Sequence, residues 1–232
     1  MKIYFDGNSW TAGSEVRGFT DHEGQDSPLR WSKILCGKLG AEEHNVAGSP
    51  NDRIVRNLIC NYNIEDYDLA VIQMSTPGDR EHFVENLATS GKTGWRKVGV
   101  YNTPVWRGKN KRPNHWSEED HKFWTYYYTN IYNEEYGKTM ERVHYTTIKN
   151  HCAIHNVPVL ILVHQDFCYH AEIEYDFNLN QDKYPRWKHN NFPNEEGHKM
   201  IAEDLYALIQ RRQLLLGLSL IHISEPTRRT VI

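Results

Sequence analysis

Four cysteines in 232 residues, Cys36, Cys60, Cys152 and Cys168, form no Cys-x-x-Cys pair and show no metal-ligand spacing. No zinc site or redox couple is therefore written into the chain, and the four thiols are expected to be reduced and buried, with no metal and no cofactor. Long apolar runs are missing as well. The longest, 214–221, is far short of the roughly 20 residues that cross a bilayer. The opening apolar run is closed early by Asp6, so no targeting segment is read, and a cytoplasmic protein with no membrane partner is expected. Neither sign of charge dominates: 27 Lys and Arg against 30 Asp and Glu give a formal charge of -3, which offers nucleic acid no electrostatic reason to bind. The absence of Gly-x-Gly-x-x-Gly or any other Gly-rich phosphate loop argues against a flavodoxin-like nucleotide binder. No internal repeat or low-complexity tract is present.

What is present suffices for one core. Hydrophobic residues make up 39% of the chain, and a single domain is the default at this length. The 14 Tyr and 7 Trp residues exceed what a small core uses, which leaves rings for loops that can stack on sugars. The stretch around which the rest is read comes first, Lys2-Ile3-Tyr4-Phe5-Asp6-Gly7-Asn8-Ser9-Trp10-Thr11-Ala12-Gly13. Ile3 and Phe5 alternate with Lys2 and Tyr4 as a strand against a core would, and Gly7 frees the backbone for a sharp turn. Ser9 then stands just beyond the strand's carboxyl end, where ligands and chemistry are found in open parallel α/β sheets.

Further along, Leu29, Trp31, Ile34, Leu35 and Leu39 recur at helical spacing and Gly40 stops them. Residues 42–54 read as a short strand, a Gly-Ser-Pro-Asn turn and a helix capped by Ser49 or Asn51. Tyr67 to Met74 is almost continuously apolar, as a central strand covered on both faces requires, and ends in Ser75-Thr76-Pro77-Gly78. A helix is expected over 79–89, with Arg80 and Glu81 as surface charges, and 92–113 is read as an excursion over the sheet edge. Ser117-Glu118-Glu119-Asp120 caps a long aromatic helix with Phe123, Trp124, Tyr127, Ile131 and Tyr132 on one face. Met140, Val143, Thr147, Ile148 and His151 continue that face after Gly137. Val157 to Val163 is the clearest strand, and a helix between two such strands is a right-handed crossover. Asn194 caps a last helix with Ile201, Leu205 and Leu208 as its stripe, flanked by Met200 and Ile209. The expected fold is α/β, a three-layer αβα sandwich around a parallel sheet of four to five strands, formed by residues 1–216.

Four short blocks fall in a telling order: Gly7-Asn8-Ser9 after the first strand, Asn45-Val46-Ala47-Gly48 after the second, a polar turn after the third, and Pro193-Asn194-Glu195-Glu196-Gly197-His198 opening the last helix. Over residues 1 to 212 this order resembles the SGNH (GDSL-like) hydrolase family, in particular its short bacteriophage and metagenomic members. The resemblance implies an esterase with Ser9 as nucleophile. It also implies an oxyanion hole from the backbone N–H groups of Ser9 and Gly48, each such donor typically worth about 10² to 10³ in rate. Asn8 departs from the family's Asp. The turn after the third strand lacks the family's Asn, leaving Thr76 or Ser75 as hydroxyl donors. Phe192 precedes Pro193 where the family has its general base, and His189 stands three residues earlier where its Asp would be. The base then falls to a shifted histidine, His189 ahead of His198, the latter also readable as a plain helix-face residue. Asp166 and Asp182 are loop carboxylates able to orient such a ring. The substrate so implied is a small-molecule or glycan ester, with carbohydrate deacetylation foremost. The competing reading is a non-catalytic SGNH-fold protein, glycan-binding or part of a phage particle, and a virus-encoded origin fits both. Gly217 to Thr230 resembles a translated sequencing adapter, so 217–232 are expected to be a disordered, non-native tail.

Overall fold

A computed structural model of the chain describes residues 1–13, 27–46, 50–78, 80–84, 94–98, 118–164, 173–179, 182–186 and 193–212. Five strands form one parallel sheet: β1 (Lys2–Asp6), β2 (Glu42–Asn45), β3 (Leu69–Gln73), β6 (Val159–His164) and β7 (Phe177–Leu179), in the order β2-β1-β3-β6-β7. The register sets Ile3 opposite Leu69 and Ala70 opposite Val159, so the three apolar strands read from the sequence are parallel neighbours. β7, in a stretch without legible periodicity, supplies the fifth strand, with Phe177 opposite Leu162.

Because successive strand side chains point to opposite faces, the sheet sorts its residues by parity. Ile3, Phe5, Leu69, Val71, Leu160 and Leu162 face one helical layer, made by α2 (Trp31–Leu39) and the last helix, α6 (Glu195–Arg212), through Trp31, Leu35, Ile201, Leu205 and Leu208. Tyr4, Ala70, Ile72 and Ile161 face the other layer. That layer is α3 (Asn51–Arg56), which runs into a π-helical turn (Asn57–Asn61), and α5 (Glu134–Ile154), through Ile54, Leu58, Ile148 and Cys152. The result is the three-layer αβα sandwich. Each fully buried large apolar side chain contributes about 1.5–3 kcal/mol to it.

Several expectations are corrected. Residues 80–84 are not helical: β4 (Arg80–Val84) pairs antiparallel with β5 (Gly94–Val98) in a separate two-stranded sheet. Its root is buried rather than at the surface. Arg80 is 7% exposed, with Nη1 2.9 Å from Asp52 Oδ1 and Nη2 donating to the Tyr136 hydroxyl, while Arg56 grips Glu81 with two bonds. The long aromatic helix is two. α4 (Glu118–Tyr126) passes into a π-helical turn (Tyr127–Ile131), and α5 restarts because Asn133 is extended and its side chain caps the Tyr136 amide at 2.8 Å. The buried stripe of α5 is Gly137, Glu141, His144, Ile148 and Cys152, leaving Val143 exposed. Finally, Cys60 is exposed while Cys36 and Cys152 are buried; Cys168 lies outside the described residues. Residues 213–232, and with them the tail, also lie outside the described residues. No helix among those described is long and apolar enough to cross a membrane.

Candidate active site

Strand β1 ends where its two neighbours end, and a four-residue helix, α1 (Ser9–Ala12), sits on that edge. Asn8 caps it, its side chain accepting from the Trp10 amide at 2.9 Å, and Gly13 closes it in the left-handed conformation. Three strand or helix ends pin α1 in place. The Thr11 hydroxyl donates to Gln73 Oε1 at 2.5 Å on β3, Asn45 Nδ2 on β2 donates to the Thr11 carbonyl at 2.9 Å, and the Trp31 indole of α2 donates to the Trp10 carbonyl at 3.1 Å. Gly7 is required where it stands: its φ is +156°, and a Cβ there would lie 2.7 Å from Gln73 Cβ and 2.8 Å from Thr11 Oγ1. Trp10, Thr11 and Ala12 are buried, whereas Ser9 is half-exposed at the first helical position. A rigid turn thus presents one hydroxyl at the carboxyl edge of the sheet.

The loop after β3 is fixed by its neighbours with equal care. Asn51, the first residue of α3 rather than its cap, clamps Ser75 through both backbone groups: its Oδ1 accepts from the Ser75 amide at 2.7 Å and its Nδ2 donates to the Ser75 carbonyl at 3.0 Å. The Tyr128 hydroxyl holds the Gly78 carbonyl at 2.7 Å. Asp52 then ties this loop to the β4 root. It lies 2.9 Å from His144 Nε2, pairs with Arg80 and accepts from the Glu81 amide at 3.1 Å. Burial alone would raise its carboxyl, but the His144 bond and the Arg80 charge outweigh that and hold it below the usual carboxylate range. Between these anchors Thr76 is half-buried, and no hydrogen bond holds its side chain among the described residues.

The histidines divide. His189 lies outside the described residues, as do Gly48, Asp166 and Phe192. His198 is fully buried on α6, its Nδ1 accepting from the Trp31 amide at 3.2 Å, and burial pushes its ring down to about 4. It is not hydrogen-bonded to Ser9, and no side chain among the described residues is. His198 is thus joined to the α2 backbone and not to the Ser9 turn. Asp182 is exposed, 3.9 Å from Arg186.

Two buried groups at this edge were not singled out from the sequence. His164 ends β6, and its ring meets that of Trp10 edge-on with centroids 4.5 Å apart. Asp6 ends β1 and is completely buried. Burial pushes its carboxyl up to about 6, against hydrogen bonds from Asn57, Gly7 and Tyr4 and the charge of Arg53. The signal for Asp6 was available: its parity with Tyr4 turns it inward, off the solvent. No group of three or more His, Cys, Asp or Glu side chains among the described residues is arranged to hold a metal ion.

No family model matches the sequence, and no curated protein matches it. Solved structures do. The chain is similar to a family two carbohydrate esterase from Clostridium thermocellum in complex with cellohexaose, at 14% identity and a TM-score of 0.47, covering 91% of this chain and 64% of that one. It is also similar to a family two carbohydrate esterase from Cellvibrio japonicus, at 11% identity and a TM-score of 0.47, over 94% of this chain and 62% of that one. A further similar structure is a putative lipolytic protein of the G-D-S-L family from Desulfitobacterium hafniense DCB-2, at 13% identity and a TM-score of 0.37, covering 89% of this chain and 98% of that one. The chain spans under two thirds of the length of the two carbohydrate esterases.

Proposed function

We propose that the chain hydrolyses carboxylic esters through an acyl-enzyme on Ser9. The observation that carries this reading is the pinned turn itself: α1 is tied to β2, β3 and α2, and the one hydroxyl it leaves half-exposed is that of Ser9. In the proposed reaction Ser9 Oγ attacks the ester carbonyl and its proton passes to the base. The tetrahedral oxyanion is held by the Ser9 and Gly48 amides and the Thr76 hydroxyl. Collapse expels the alcohol, which takes the proton, and water then repeats the sequence to free the acid. His189 is the base we favour, because the ring of His198 is committed to Trp31 and wholly buried. A glycan ester is the favoured substrate. Phe123 and Tyr126 are 54% and 59% exposed on α4, which continues into the π-helical turn whose Tyr128 holds the loop bearing Thr76, and exposed rings so placed can stack on sugar faces.

An organophosphonate ester probe reads the nucleophile directly. One adduct per chain, located at Ser9 by peptide mass, is expected; an unmodified protein, or an adduct elsewhere, would sink the reading. The competing role, a non-catalytic SGNH-fold protein that holds a glycan, is favoured by Phe192 in the place of the family's base. The base assignment has its own readout. His189→Ala should slow hydrolysis of an activated acetyl ester by roughly 10² to 10⁴ while melting with the parent. His198→Ala should chiefly lower the melting temperature, since it leaves the buried Trp31 amide unpaired at a cost of about 1–3 kcal/mol.

A further inference from the structure

The carboxylate of Asp6 is held by three donors: the Gly7 amide on Oδ1 at 2.8 Å, and the Tyr4 hydroxyl and Asn57 Nδ2 on Oδ2, both at 3.0 Å. Asn57 is itself fixed, its Oδ1 accepting from Asn61 Nδ2 at 2.8 Å. Among the described residues no lysine or arginine forms an ion pair with Asp6. A fully buried carboxylate without a cation in contact costs several kcal/mol, and it accepts from all three donors at once, which an Asn side chain, a donor through its own Nδ2, cannot do. The charge sits one residue before the glycine whose amide it holds, and that glycine is wedged against the Gln73 side chain two residues before Ser9. The strand end, the wedge and the Asn8 cap leave the intervening peptide units little freedom, so a pull on the Gly7 amide is passed to the Ser9 turn.

We propose that Asp6 is a positioning residue for Ser9: ionised, it draws in the Gly7 amide and fixes the turn that presents the hydroxyl, and protonated, it slackens that turn. This rests on the reading of Ser9 as nucleophile. The groups that face the carboxylate fit such a role. On its own strand is Tyr4, whose hydroxyl burial and the neighbouring carboxylate hold far above the ordinary phenol range. From α3 come Arg53, whose charge favours the ionised form, and Arg56, already paired with Glu81. Tyr62, Tyr67 and His44 surround the Tyr4 ring, and Ile72 of β3 lies opposite Asp6 in the register. The sign of the linkage is set by the upward shift. The proton is bound more tightly in the folded state, so this group's stabilising contribution is complete below the unfolded value of 3.8 and is lost as the pH rises through about 6.

The test follows the Gly7 amide by ¹⁵N-edited NMR from about pH 4.5 to about pH 8, alongside ester hydrolysis. In the parent the Gly7 resonance should titrate with a midpoint near 6; a flat Gly7 resonance overturns the proposal whether or not any ester is hydrolysed. Asp6→Asn should abolish that titration and lower kcat by roughly tenfold to a hundredfold at unchanged KM. Its melting temperature near neutral pH should stay within about 5 °C of the parent's, because the removal of a buried charge offsets the one donor left facing the Asn Nδ2. That pairing separates positioning from damage, since a merely structural residue would lose activity and stability together. A variant with parental kcat, or one whose lost activity comes with a melting temperature lower by more than about 5 °C, contradicts the role. A parent that turns over no ester while Gly7 still titrates would remove the nucleophile reading and leave the coupling of charge to turn in place.

Discussion

Replacing Arg80 by alanine is expected to lower the free energy of unfolding by about 3 kcal/mol, the low end of the cost of breaking a buried pair from one side, because Asp52 is only partly buried. The guanidinium is almost wholly buried, bonds Asp52 and the Tyr136 hydroxyl, and lies over the Tyr136 ring at 5.1 Å. Its removal leaves the Asp52 carboxylate with His144 and the Glu81 amide but no permanent cation beside it. Arg80→Met, which keeps most of the volume, should still lose much of that stability, and adding Asp52→Asn should recover part of it, because the uncompensated charge is then gone. Urea denaturation measures all three. An Arg80→Ala protein within about 0.5 kcal/mol of the parent would mean that this is an ordinary surface charge after all. Local consequences should precede global ones. Arg80 roots β4 directly after the loop that Asn51 and Tyr128 hold, so the variant should loosen Ser75 to Gly78 before it unfolds the sheet.

Arg80 also illustrates where sequence reading stopped. The three central strands were legible because they are apolar on both faces, and α6 because Ile201, Leu205 and Leu208 carry its burial. Where a buried position holds a polar residue, hydrophobic periodicity points to the wrong face. On α5 the inward stripe includes Glu141, which accepts from the Tyr175 hydroxyl at 2.5 Å, and His144, bound to Asp52. With those two discounted, Met140, Val143 and Thr147 looked like the stripe. The same blindness made a helix of β4, whose anchoring contacts come from residues some 28 positions away in sequence, as in Arg80 to Asp52.

The site was legible to a similar depth. Parallel topology brings the ends of β1, β2 and β3, and with them Ser9, Asn45 and the turn at 75–78, to one edge, whereas Gly48, which the sequence reading set at that edge, lies outside the described residues. What could not be read was how the edge is held: the Asn51 clamp on Ser75, the Thr11 bond to Gln73 and the Tyr128 bond to Gly78 all join residues more than 20 apart. Asn51 has the residue type of a helix cap, and its true partner lies on another loop.

The largest expected effect belongs to Ser9. Ser9→Ala removes an oxygen from a half-exposed position and leaves every bond that pins α1 in place, since Asn8, Thr11 and Trp10 make them. The protein should therefore melt with its parent, while hydrolysis through an acyl-serine has no substitute nucleophile on that turn and should fall by at least about 10³-fold. Asp6→Asn, in contrast, should leave the nucleophile in place and only misplace it, so the two variants should differ by at least tenfold in residual rate. The most direct measurement is the initial rate of hydrolysis of an activated acetyl ester by parent and Ser9→Ala proteins, at matched concentration and after matched melting curves. A parent that turns over and a folded Ser9→Ala protein that does not is the predicted result; equal rates from the two would contradict the assignment of Ser9 as nucleophile.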